Sequence, residues 1–186
     1  GAKLSKRHGA VSVLEFQEQG FLPEAMCNYL VRLGWGHGDA EVLDRAEAIR
    51  LFDLDGVGRA ASRMDLSKLL HINGVWLRQA DDDRLTREVI QRLAAMHGLH
   101  ADASGAARVR TLMPGLKERA KTLVDLSESA AFLLRPTPLQ FEPKALALLT
   151  PEGKATLQQV APVLAATDFT APALDAALRQ FAENAG

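Results

Sequence analysis

The sequence predicts an all-helical chain with no substantial sheet. Alanine and leucine are abundant while valine and isoleucine are sparse, a balance that favours helix over strand. Helix-capping patterns recur along the chain, and no stretch alternates apolar and polar residues at the period of two that a half-buried strand requires. Composition shifts near Gln79 and near Pro136 suggest the boundaries: a first region at 1–78 and a second at 79–186, the latter split into two sub-bundles near 136.

The elements follow from their punctuation. Ser12-Val-Leu-Glu15 is a capping box, so a short helix starts there and stops at Gly20. Pro23 suits a first helical position; Met26, Tyr29, Leu30 and Leu33 follow at helical spacing, and Gly34 closes the run. Gly34-Trp-Gly-His-Gly38 is too glycine-rich for an element interior. Asp44-Arg-Ala-Glu47 opens a helix through Phe52, and Asp53 to Ser62 is a loop. Asp65 opens a short helix that Asn73-Gly74 should close, with a restart from Val75 to Arg78. Asp81-Asp-Asp83 caps a longer helix with Leu85, Val89, Leu93 and Met96 on one face and Gly98 beyond its end. Ala101 to Ala107 is small and polar and reads as a loop running into a helix, which Pro114-Gly115 should kink or break. Thr122-Leu-Val-Asp125 resembles another capping box, opening a helix to about Leu134, and Pro136-Thr-Pro138 makes a stiff link. Thr150 and Thr170 open the last two helices.

Bulk properties exclude several functions. The 186 residues carry a formal net charge of −1, so any grip on nucleic acid must come from a local patch. Cys27 is the only cysteine, which excludes a disulfide framework and, in an apolar helical context, suits the core better than catalysis. No apolar run is long enough for a membrane helix and no leader-like segment precedes Ser12, so a cytoplasmic location is expected. His8, His37, His71, His97 and His100 lack the spacing of a metal set, and no metal site is expected. Trp35 and Trp76 read as core residues.

Two basic clusters carry the candidate chemistry. Lys3 and Lys6 flank Ser5 on a glycine-bounded loop, where mobile ammonium groups suit a polyphosphate. Arg108, Arg110, Lys117, Arg119 and Lys121 form a second cluster opposed locally only by Glu118; such a stripe suits a phosphate backbone or an arginine reading a base edge.

Four stretches carry a resemblance. KLSKR at Lys3, Leu4, Ser5, Lys6 and Arg7 resembles the second signature of class I aminoacyl-tRNA synthetases, in the form common among glutamyl-tRNA synthetases. GFLPEAMCNYLVRLGWGHGD, LFDLDGVGRAASRMDLSKLLHINGVWLR and LKERAKTLVDL resemble that family's later stretches at the same relative spacing. The resemblance implies that 1–78 is the signature loop with a stem-contact region and that 79–186 is a helical anticodon-binding cage, C-terminally incomplete. It implies a C-terminal piece without the upstream ATP- and glutamate-binding domain, hence inactive alone, from a parent that attaches glutamate to its tRNA with ATP and Mg²⁺. Lys6 then contacts ATP, with Lys3 and Ser5 supporting the loop; Lys68 meets a tRNA phosphate; Arg119 helps read the third anticodon base; Arg108, Arg110, Lys117 and Lys121 contact tRNA. Expected partners are the tRNA for glutamate, with ATP and glutamate reached through the missing domain; no cofactor on this chain, no membrane, and a monomer. The competing readings are a helical protein–protein interaction module and, weaker, a nucleotide-binding protein built on the first loop alone.

Overall fold

The computed structural model describes residues 12–59, 62–141 and 143–185. Among these residues ten α-helices form and no strand does; the one sheet-like contact is an isolated bridge between Trp35 and Val57. The chain divides into two compact units, Gly1–Thr137 and Pro138–Gly186.

In the first unit, α1 (Val13–Glu18) starts on the Ser12 capping box, with Glu15 Oε1 accepting from the Ser12 N–H at 3.1 Å. Gly20 follows at φ +86° and turns the chain into α2 (Pro23–Gly34). Met26 and Tyr29 are buried as the spacing predicts, but Leu30 is half exposed; the inward face runs instead through Ala25, Met26, Asn28 and Tyr29. α3 (Arg45–Leu51) opens at Asp44 as expected, where Asp44 and Glu47 form a capping box. Trp35 is buried and its indole donates to the Asp53 carbonyl at 3.1 Å, pinning the glycine-rich loop to the 53–58 loop.

α4 (Leu66–Gln79) corrects the sequence reading: it runs unbroken through Asn73-Gly74, which do not close it. Both residues are buried mid-helix, and the Asn73 amide bonds to two other segments rather than turning its own. α5 (Asp82–His97) obeys its predicted limits, with Asp81 at the N-cap and Gly98 left-handed at the C-cap; Met96, predicted on its apolar face, is exposed. α6 (Ala103–Lys117) also departs from expectation. Asp102 caps it by accepting from Gly105, so the loop read over Ala101 to Ala107 ends at Asp102, and the helix from Ala103 continues through Pro114 and Gly115. α7 (Leu123–Ala130) starts on the Thr122–Asp125 capping box and passes into a short 3₁₀ turn, Ala131–Leu133. Leu69, Ile72, Leu77, Leu85, Val89, Leu93, Val109, Met113 and Leu126 make one core shared by α4 to α7, to which Phe16, Leu22 and Tyr29 also belong.

Cys27 is a second correction. It is exposed on α2, where it lines an open apolar groove of about 600 Å³ with Val31, Leu43, Ile49 and Phe52. The neighbouring Ala25, Met26 and Tyr29 do enter the core, but Cys27 lies on the other side of α2 with Val31.

Arg84 ties α5 to α2 through Glu24 and to its own helix through Glu88. Burial pulls the Glu24 carboxyl up, but the Arg84 hydrogen bond, a backbone N–H and the guanidinium charge outweigh it and hold the group below its ordinary value of 4.5. A depressed carboxylate stabilises above its unfolded value and loses that contribution as pH falls through the folded value. Glu24→Gln is therefore expected to lower the melting temperature at neutral pH, with the gap to wild type closing as pH falls below about 4.5. Thermal melts from pH 7 to pH 3 check this; a gap independent of pH would contradict it.

In the second unit, α8 (Pro143–Leu148) was not anticipated, being six residues long and opened by a proline. α9 (Pro151–Ala165), capped by Thr150, packs against α10 (Ala171–Ala185). None of this unit's described residues is fully buried.

Candidate nucleic-acid interface

The Lys3, Leu4, Ser5, Lys6 and Arg7 loop lies outside the described residues. The second basic cluster is built where α6 ends. Lys117 is the last helical residue, Glu118 and Arg119 turn, and Thr122 restarts the chain as α7. Asp125 fixes the exit, its Oδ2 accepting from the Lys121 and Thr122 N–H groups at 3.1 and 3.0 Å. The turn is thus held by its own backbone while Arg119 and Lys121 stay exposed.

The cluster's five cations are not equivalent. Lys117 Nζ donates to Asp82 at 2.6 Å and to the Ala80 carbonyl at 3.0 Å, and its side chain is only 13% exposed. Arg110 pairs with Asp83 and lies 3.6 Å from Asp82; the Asp83 hydrogen bond holds its guanidinium above the usual value. Arg108 bonds Ser104 Oγ at 3.0 Å and the Leu133 carbonyl at 3.2 Å. Among the described residues, Arg119 and Lys121 have no carboxylate within 4.0 Å. The stripe is therefore opposed by more than Glu118: two aspartates of α5, 27 and 35 residues away in sequence, neutralise its middle. Arg108 also keeps its charge unpaired by any carboxylate but is bound to neutral groups, so the cluster's cations without any partner among the described residues are an arginine and a lysine on one fixed turn. Arginine offers a planar fork to stack on or donate to a base; lysine offers a point charge.

Lys68 stands apart, in the first turn of α4, 3.9 Å from Glu41 with both side chains about half exposed. A separation of that length between exposed groups contributes little. Lys68, Arg32 and Arg63 line a notch of about 210 Å³ with Tyr29, Ser62 and Asp65. Sequence reasoning missed Arg32 and Arg63. The run Arg59, Arg63, Lys68 was a visible signal for one of them; Arg32 arrives only through the packing of α2 on α4. Among the described residues no cluster of three or more histidine, cysteine or acidic groups suits a metal ion, and no helix is long and apolar enough to cross a membrane.

Comparison with known proteins places this geometry. Residues 84–186 match the family described as anticodon binding domain, and residues 1–71 match tRNA synthetases class I (E and Q), catalytic domain. Glutamate–tRNA ligase 1 of Gluconacetobacter diazotrophicus is 65% identical over the whole chain, and that of Gluconobacter oxydans is 61% identical over 98% of it. The chain spans about 40% of the length of these curated relatives. The crystal structure of a glutamate tRNA ligase from Elizabethkingia meningosepticum in complex with its amino acid superposes with a TM-score of 0.72 at 25% identity, covering all of this chain and 40% of that one.

Proposed function

The chain belongs to the anticodon-binding-domain family, and from that premise we propose that it is the tRNA-gripping portion of a glutamate–tRNA ligase. Residues 1–78 supply the signature loop and the stem-contact helices; residues 79–186 supply the anticodon-binding helices. The parent activates glutamate with ATP and Mg²⁺ and passes it to the tRNA, acting in the cytoplasm as a monomer. In this reading Lys6, Lys3 and Ser5 serve ATP in the parent, and no step of that chemistry belongs to the helices described above.

The observation that carries the proposal is the pair of exposed cations, Arg119 and Lys121, which have no carboxylate partner among the described residues, on a braced turn inside the matched segment. Lys121 and Lys68 supply charge to phosphates and Arg119 supplies base recognition. Arg108, Arg110 and Lys117 lie along α6 before the turn, and Lys117 braces its start through Asp82 and the Ala80 carbonyl.

A salt titration of binding to a glutamate tRNA transcript tests this. Each phosphate-contacting cation contributes roughly 0.7 log units of affinity loss per log unit of salt for unpaired strands. Lys121→Gln and Lys68→Gln are each expected to lower the slope by about that amount while leaving the preference among anticodons unchanged. Binding with no salt slope, or an equal affinity for a protein fraction lacking RNA, would favour an interaction module instead.

A further inference from the structure

We propose that Asn73 is a positioning residue: it sets the Arg119–Lys121 turn against the first helices, and so governs how the turn meets an anticodon. The inference rests on the tRNA-gripping function proposed above.

Asn73 sits in the middle of α4 with no exposed surface. Its Oδ1 accepts from the Leu22 N–H at 2.8 Å, and its Nδ2 donates to the Lys121 carbonyl at 2.5 Å. One amide therefore joins segments 51 residues before it and 48 residues after it, both through backbone groups. The Lys121 carbonyl lies two residues from Arg119. A parallel bond, Leu123 N–H to the Gly20 carbonyl at 2.8 Å, joins the same two segments. The turn packs directly on α4 at this level: a Cβ at Gly74 would stand in ordinary contact, 3.6 Å from the Ala120 carbonyl and 3.9 Å from the Lys121 Cα. On the far side Lys117 reaches Asp82 and the Ala80 carbonyl. The turn is gripped from both flanks, and Asn73 alone provides the amide that donates to it from α4.

Asparagine is a poor choice on local grounds, since it disfavours helix interiors and its amide is costly to bury without partners. Both objections vanish if the amide's orientation is what the site needs. Only a side chain with one acceptor and one donor at this reach satisfies a backbone N–H and a backbone carbonyl together.

The test uses the 186-residue chain and a set of glutamate tRNA transcripts differing at the third anticodon base. Asn73→Asp keeps the acceptor for Leu22 but turns a carboxylate towards the Lys121 carbonyl; Asn73→Ser is a second, uncharged variant should the first not fold. Val89→Ala, on α5 in the same core, serves as the control for lost stability. Affinities are measured where circular dichroism shows each protein fully folded. The expected result is that a folded Asn73 variant loses about tenfold in the ratio of cognate to third-base-variant binding, the scale of one lost base contact, while Val89→Ala keeps the ratio. Asn73→Asp combined with Arg119→Gln should lose no more than Arg119→Gln alone, because both act through one turn. An unchanged ratio in folded Asn73 variants, or equal losses in Val89→Ala, overturns the inference. A wild-type chain that binds no transcript overturns the underlying function instead, and that outcome is visible before any variant is made.

Discussion

Arg119→Gln is expected to erode the preference for the cognate third anticodon base by roughly 5- to 150-fold, corresponding to about 1–3 kcal/mol for a side chain that reads a base edge. The side chain is exposed, has no carboxylate partner among the described residues and leaves a turn whose backbone is fixed on both sides. Fixing the backbone matters because specificity depends on geometry: a fork that wanders offers charge to any base, whereas a fork held in place rewards only the matching edge. Glutamine keeps a hydrogen-bonding amide but is two heavy atoms shorter and loses the charge and the guanidinium fork, so it should tolerate more bases rather than abolish binding. Arg110→Gln offers a contrast. Arg110 is paired with Asp83 and Asp82, so its loss should leave the anticodon preference nearly intact. Binding measured against transcripts varied at the third base separates the two. If Arg119→Gln and Arg110→Gln shift the preference alike, Arg119 is not the base reader.

The contrast between those arginines marks where the sequence stops informing. Helix starts were legible because caps are local: Ser12, Asp44, Asp81, Thr122 and Thr150 each accept from an amide two or three residues on, and the chain spells this out. Asn73-Gly74 looked like a helix end by the same local logic. It is not one, because the amide's partners are some fifty residues away in both directions and tertiary contacts outweigh turn propensity. The small residues of Ala103 to Ala107 looked like loop for want of apolar periodicity; Asp102 and the tight approach of Gly105 to Leu134 explain why they are helical. The site followed the same rule. The five cations of the second cluster were all visible in the sequence as one stripe, but only folding brings Asp82 and Asp83 against two of them and leaves Arg119 and Lys121 open.

Gly20→Ala is expected to destabilise the first unit by about 3–5 kcal/mol, and the reason lies in the same junction. Two costs combine. At φ +86° an L side chain is strained by about 1–2 kcal/mol. The added Cβ would also stand 2.7 Å from the Val124 N and 2.8 Å from the Leu123 N, both backbone atoms at the start of α7 that no rotamer change can move aside. Relief requires the α1–α2 loop to withdraw from α7, which stretches the Leu123 N–H to Gly20 carbonyl bond and leaves two buried groups short of partners. Two other glycines isolate these costs. Gly38 has φ +52° with nothing within 4 Å of an added Cβ, so Gly38→Ala should cost only the backbone strain, about 1 kcal/mol. Gly115 lies inside α6 with open space around it, so Gly115→Ala should stabilise by about 0.5–1 kcal/mol. Urea unfolding of the three variants gives the order directly. Equal losses for Gly20→Ala and Gly38→Ala would mean the junction yields at no cost, and a junction that yields could not hold the Arg119 turn in register with α4.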